Sequence, residues 1–219
     1  MDRRAFLMLL MAGCADPTPD LLPSASPLPP QTSPSLPQPA TPPTASGDPG
    51  FDEWSRQFYA KAVQAGLPPA LLDRELAGLT PDPRVVGLDG RQPEFAKPFG
   101  DYIRGVVTED RVAIGRRKRA QLADTLSSID QRFGVSPDVV MGVWAMETGF
   151  GSTLGGFDVI RSMATLAAQG RRRAWAEDQL MAALQIIGSG EFPRSRLIGS
   201  WAGAMGQTQF IPTTFLSTA

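Results

Sequence analysis

The sequence predicts a mostly α-helical domain. From Phe51 onwards apolar residues recur at helical spacing, prolines and glycines fall where such helices would start and stop, and no segment alternates with the period of a half-buried strand. Composition separates that domain from what precedes it. Twelve of the 21 prolines lie between Pro17 and Pro49, in a stretch of Pro, Ser, Thr, Ala and Gln with almost no aromatic residues. Such a stretch buries too little surface to offset its ordering entropy, so residues 15–50 are expected to form a disordered linker. The remainder, Phe51 to Ala219, is long enough to build a sizeable core.

Within the domain, Phe51, Trp54, Phe58, Ala62 and Ala65 form one stripe that ends at Gly66, and Pro68 and Pro69 open a second, short helix. Residues 78–98 are rich in proline and glycine and read as a loop. Thr108 is a candidate N-cap for a helical stretch in which Leu122, Leu126, Ile129 and Phe133 share a face up to Gly134. Ser136 and Pro137 then cap and open a helix that is apolar on nearly every side, with Val139, Val140, Met141, Val143, Trp144 and Met146. That pattern predicts a helix through the middle of the domain. A further helix runs around Trp175, Leu180, Leu184 and Ile187, followed by a loop rich in glycine and serine.

The N-terminus reads as an address. Two arginines precede an apolar run from Ala5 to Ala12, which is too short to span a bilayer but suits a signal-peptide core. Met11-Ala12-Gly13-Cys14 resembles a bacterial lipobox, so residues 1–14 are expected to be a lipoprotein signal peptide and Cys14 the lipidated residue. Ala15 after that cysteine resembles the outer-membrane sorting pattern. Arg3-Arg4-Ala5-Phe6-Leu7 also resembles a twin-arginine export signal, which leaves the export route open.

The chain contains no histidine, which removes the usual nucleophilic triads, the commonest zinc ligand and the near-neutral proton shuttle. Acid/base chemistry must use carboxylates, Tyr or Lys. A net charge of −1 gives no global basic field for nucleic acid, and the cluster Arg116, Arg117, Lys118, Arg119 reads as a solvated helix face.

Against this background Glu147 stands out as a carboxylate on the apolar helix, just before the helix-breaking Thr148-Gly149-Phe150-Gly151. Two readings are open. An apolar setting keeps a carboxyl protonated, as a general acid requires; alternatively Glu147 pairs with one of Arg171, Arg172 and Arg173 and ties two helices together. The second unusual stretch is Gly199 to Pro212, where close glycines alternate with Gln amides and aromatic rings. This is either a carbohydrate-contacting loop or a tight turn between helices.

Val143-Trp144-Ala145-Met146-Glu147-Thr148-Gly149-Phe150-Gly151, followed some fifty residues later by Ala202-Gly203-Ala204-Met205-Gly206-Gln207-Thr208-Gln209-Phe210-Ile211-Pro212, resembles the membrane-bound lytic transglycosylase B family of peptidoglycan lyases. The resemblance spans nearly all of Phe51 to Ala219. It implies a lysozyme-like fold of helices around a groove. It assigns Glu147 as the catalytic residue, Ser200 and Gln209 as sugar contacts, and Arg172 and Arg173 as a basic pair near the muramyl peptide. Met205 and Phe210 are candidates to wall the groove, with core packing the favoured role for Phe210.

The implied reaction needs no metal or other cofactor: Glu147 acts alone as acid and then base on the bond between N-acetylmuramic acid and N-acetylglucosamine, with the substrate's acetamido group assisting and a 1,6-anhydro ring as product. A lysozyme-type hydrolase would instead need a second carboxylate, for which Asp158, Glu177, Asp178 and Glu191 are the candidates, each reading better as a surface or capping residue. The implied partners are peptidoglycan strands and, through Cys14, a membrane, in the periplasm and on the outer-membrane side. The family pattern continues beyond Gln-Phe-Ile-Pro with further helices and, in some members, an acidic calcium-binding loop. Residues 51–219 are therefore expected to be a catalytic domain truncated at its C-terminus, with a catalytically weak, tethered glycan-binding role as the alternative.

Overall fold

The computed structural model describes residues 45–90 and 98–218. The expected signal peptide, Cys14 and most of the expected linker lie outside the described residues. Among the described residues are ten α-helices and one two-stranded antiparallel ribbon.

The first helix, α1 (Pro49–Gln64), starts two residues before the expected boundary because Asp48 caps it, accepting from the amides of Gly50 at 2.9 Å and Phe51 at 3.0 Å. Its predicted stripe is buried from Phe51 to Ala62, whereas Ala65 is the exposed C-cap. Next, α2 (Pro69–Leu76) begins with the predicted proline and buries Leu71, Leu72 and Leu76. The expected loop over 78–98 contains a helix, α3 (Pro83–Asp89). Asp82 caps it, Pro83 occupies the first helical position where its missing N–H costs nothing, and Val85 is fully buried.

The helix α4 (Phe99–Val106) buries none of its residues. Thr108 caps α5 (Glu109–Gln121) as predicted, by accepting from the Arg111 amide. The helical stretch breaks at Leu122, whose backbone leaves helical geometry, and resumes as α6 (Ala123–Phe133), ending at Gly134 in the left-handed conformation. On α6 only Leu126 is fully buried, while Phe133 is solvent-exposed.

The central position expected for the apolar helix is taken by another element. α7 (Pro137–Thr148) packs on α5 and α6, burying Met141 and Thr148, but Val139, Val143 and Met146 face solvent. The most buried helix is α8 (Val159–Gln169), in which every residue from Val159 to Ala167 except Arg161 is buried. Arg161 escapes by reaching along the surface to the carbonyls of Thr80 and Pro81, and Thr165 satisfies its hydroxyl on the Arg161 carbonyl while accepting from the Asp82 amide. α8 packs against α9 (Arg173–Gly188), with α1 and α3 on one flank and α2 and α10 (Pro212–Thr218) on α9. α10 is held by Gln179, which accepts from both the amide and the hydroxyl of Thr213.

No strand was expected, yet β1 (Phe157–Asp158) pairs with β2 (Ile198–Gly199) just before α8 and just before the glycine-rich loop. At two residues each, neither strand is long enough to show alternation. No described helix is long and apolar enough to cross a membrane.

Candidate active site

Glu147 lies in the last turn of α7 and is exposed. This corrects the expectation of a carboxylate on a buried helix, since α7 turns its outer side to solvent. The pairing alternative fails too. Among the described residues Glu147 has no ion pair or hydrogen bond, while Arg171 and Arg172 face Asp89 instead. Among the described residues Glu147 is thus an unpaired carboxylate at the C-terminal end of α7.

What fixes it is the turn behind it. Gly149, Phe150 and Gly151 all have positive φ, and the amides of Gly149 and Phe150 return to the carbonyls of Ala145 and Trp144, so α7 stops abruptly. Phe150, a non-glycine residue at φ 61°, is held there by burial and by edge-on packing against the Trp144 ring at 5.5 Å. Thr148 is fully buried. Its hydroxyl donates to the Gln207 carbonyl at 2.9 Å and accepts from the Gly151 amide at 3.0 Å. The first of these bonds joins the helix end carrying Glu147 to the loop at 199–211, although 59 residues separate the partners. Thr148 did not stand out in the sequence; a small hydroxyl residue beside an acid and before a glycine is the only local signal.

The loop itself depends on close backbone approach, as its glycines suggested. A Cβ on Gly155 would lie 2.1 Å from the Gly199 carbonyl oxygen, and one on Gly199 would lie 2.0 Å from that of Ala204. Ser200 is half-buried and accepts from the Ala204 amide at 3.1 Å, which fixes its hydroxyl while its proton stays available to a ligand. Gln209, at φ 51°, donates through its amide nitrogen to the carbonyls of Gly206 at 2.9 Å and Leu154 at 3.4 Å, and among the described residues its amide oxygen has no partner. Gln209 is half-buried, and a non-glycine backbone held at positive φ is found preferentially at binding positions.

Met205 and Phe210 exchange the roles expected of them. Met205 is buried in the main core cluster, paired through its backbone with Gly199 and Phe210, and has little surface to offer a ligand. Phe210 is 36% exposed. Arg172 precedes α9 with its guanidinium 4.5 Å over the Trp175 ring, and Arg173 bonds the Ala168 carbonyl. Among the described residues no hydrogen bond or ion pair joins either arginine to Glu147 or to the 199–211 loop.

The candidate second carboxylates are largely committed elsewhere. Asp158 caps α8 and pairs with Arg194 at 2.8 Å, and Glu177 accepts from Trp54 and Lys61. An apolar groove of about 410 Å³ between α5 and α7, lined by Val112, Met141, Ala145 and Met146 among others, was not foreseen. Ala145 and Glu147 lie about half a turn apart around α7, so the groove belongs mainly to another face of the helix.

The helix end that carries Glu147 is thus bonded through Thr148 to a glycine-built loop that presents a serine hydroxyl and a glutamine amide. Residues 50–219 match the Transglycosylase SLT domain, and the chain belongs to that family. It is 31% identical over 115 residues to membrane-bound lytic murein transglycosylase B of Escherichia coli (strain K12), covering 52% of this chain and 32% of that one. SltB3 from Pseudomonas aeruginosa, solved in complex with NAG-NAM-pentapeptide, is 46% identical and superposes with a TM-score of 0.74 over 78% of this chain and 46% of that one. The Escherichia coli lytic transglycosylase Slt35 in complex with bulgecin A is 26% identical, with a TM-score of 0.67 over 78% of this chain and 55% of that one. The lysozyme-like fold is therefore shared, and the chain spans between a third and just over half the length of these relatives.

Proposed function

We propose that this protein is a lytic transglycosylase that cleaves the β-1,4 bond between N-acetylmuramic acid and N-acetylglucosamine in peptidoglycan and leaves 1,6-anhydromuramyl ends. The observation that carries the reading is Glu147, exposed and without an ion-pair or hydrogen-bond partner among the described residues, braced by the Thr148 hydroxyl against the loop of Ser200 and Gln209. A glycan lying across Glu147 removes water from it, and low polarity favours the neutral, proton-donating form of a carboxyl. Glu147 then protonates the bridging oxygen as the bond breaks, and the acetamido carbonyl of the muramyl residue attacks C1 to form an oxazolinium ion. The Glu147 carboxylate takes the proton of the C6 hydroxyl, whose oxygen displaces the acetamido group and closes the anhydro ring. One proton is given and one regained, and no water is consumed.

The commitment of Asp158 and Glu177 to structural partners counts against two of the four candidates for the second carboxylate of a lysozyme-type hydrolase. Ser200 and Gln209 hold the sugar, and Arg172 and Arg173 face the peptide; Met205 supports the loop from beneath. The relatives, one a membrane-bound murein transglycosylase and one solved with NAG-NAM-pentapeptide, fit a periplasmic enzyme on peptidoglycan. Cys14, at the end of the lipobox-like run, is the proposed lipid attachment point on the outer-membrane side.

Digestion of purified sacculi by the protein, with Glu147→Gln beside it and mass spectrometry of the released fragments, tests the reading. Anhydro products that vanish in the variant are expected. Reducing-end products would make the protein a hydrolase, and no products from folded protein would leave it a tethered glycan binder.

A further inference from the structure

β1 and β2 are two residues long each, pairing Phe157 with Gly199 and Asp158 with Ile198, and a ribbon that short is not stable by itself. The residue that follows β2 is Ser200. Gly155, two residues ahead of β1, lies against the Gly199 backbone, so any slip of the ribbon displaces the loop that begins there. Gln209 hangs on the same segment through the Leu154 carbonyl.

Arg194 supplies the hold that the ladder lacks. It stands in the single turn Arg194–Arg196, four residues ahead of Ile198. Its Nε and Nη2 both donate to one oxygen of Asp158 at 2.8 Å, and its Nη1 donates to the Glu75 carbonyl in the last turn of α2 at 2.7 Å. The other Asp158 oxygen accepts from the Arg161 amide at 3.0 Å and caps α8. Beside it the Val159 amide donates to the Leu197 carbonyl at 3.0 Å. One guanidinium thus clamps the approach to β2 onto β1, onto the start of the deepest helix and onto α2. A planar fork of N–H groups makes such a three-way joint, and a lysine cannot copy it.

We propose that Arg194 is a positioning residue, which fixes the register of β1 against β2 and thereby sets where Ser200 and Gln209 stand. This inference rests on the transglycosylase reading for its ligand, yet binding tests it without turnover. The probe is NAG-NAM-pentapeptide, titrated calorimetrically into the Glu147→Gln protein carrying Arg194→Gln, Ser200→Ala or both. Arg194→Gln is expected to weaken binding about tenfold, and the double variant should lose no more than the larger single loss, because Arg194 acts through the loop. Tyr59→Phe, which removes a polar tie to Asp73 in the same layer but away from the ribbon, should leave affinity unchanged.

Unchanged affinity in Arg194→Gln, additive losses in the double variant, or an equal loss in Tyr59→Phe would overturn the proposal. Should Arg194→Gln not fold, Asp158→Asn decides, since asparagine caps a helix as well as aspartate does and removes only the charge from the Arg194 bond. It should weaken the ligand about threefold, and full affinity would be a refutation. Coupled losses in a protein that releases no anhydro product from sacculi would end the transglycosylase reading and leave the role of Arg194 standing. Anhydro product from a protein whose Arg194→Gln variant binds as tightly as its parent would do the reverse.

Discussion

The domain is packed unevenly. The layer formed by α1, α2, α3, α8 and α9 buries an extended cluster that includes Phe51, Phe58, Leu72, Ile160, Met163, Leu166, Leu180 and Leu184. The layer of α5, α6 and α7 has a core of three residues, Leu126, Met141 and Phe150, with partly buried neighbours. The proposed catalytic acid stands on the thin layer, while the proposed sugar contacts stand on a loop anchored in the thick one. Polar links help set their relative placement, the shortest of them a staple from Thr148 to Gln207. Stability and catalytic geometry should therefore respond to different substitutions.

The largest effect should come from Glu147→Gln, which leaves both layers intact: anhydro product formation is expected to fall by at least about 100-fold with an unchanged melting curve. If that variant keeps activity, the acid lies elsewhere. Leu166→Ala, in the thick layer, should cost about 3–5 kcal/mol by chemical denaturation, at the upper part of the range for buried leucines. Leu126→Ala, in the thin layer, should cost about 2 kcal/mol because its surroundings can relax into solvent. Equal losses at the two leucines would abolish the distinction drawn between the layers.

Thr148→Val keeps the shape of the side chain but leaves the Gln207 carbonyl and the Gly151 amide unpaired. On the order of 1–2 kcal/mol should appear as a roughly tenfold lower kcat, with KM little altered and Thr148→Ser restoring most of the rate. A fall in thermal stability alone, with kcat retained, would make the staple merely structural.

The smallest effect concerns acid. The Arg84 side chain bonded to Asp82 holds its carboxyl below the ordinary carboxylate range, against an opposing contribution from burial. A depressed folded value means the contribution is present at neutral pH and drains away as pH falls through the acid range below about 4. Asp82→Asn should flatten stability against pH there, and an unchanged acid limb of the denaturation midpoint would count against it.

How much of this could be read from the chain differs between the same two layers. α1 was legible because its apolar stripe faces one way, and α9 because Leu180, Leu184 and Ile187 recur at helical spacing. α8 was not, because Arg161, Ser162, Thr165 and Gln169 interrupt it, and nothing local reveals that Arg161 lies back over Thr80 or that Thr165 caps its own polarity on the Arg161 carbonyl. α7 misled in the opposite sense. Its composition records apolar side chains all round, but composition says nothing about which neighbours arrive to cover them. At the site, Glu147 and the 199–211 loop announced themselves by being odd in their setting. Thr148 did not, since its importance lies in a partner 59 residues away. The exchange between Met205 and Phe210 turned on which side of a two-residue bridge each faces, a matter of register that small loops do not encode in period.

Asp48 caps α1 with one carboxylate oxygen and with the other accepts from Gln169 at the end of α8, at 2.6 Å. Just ahead of it, the Ser46 amide is bonded to Asp52. Tension arriving along the backbone at residue 45 is thus delivered to two helices together, one of them the deepest in the molecule. To peel the domain from this end, a pull must break these polar links in parallel before α1 can unwind, so the point where the chain enters the fold is built as an anchorage that can carry load.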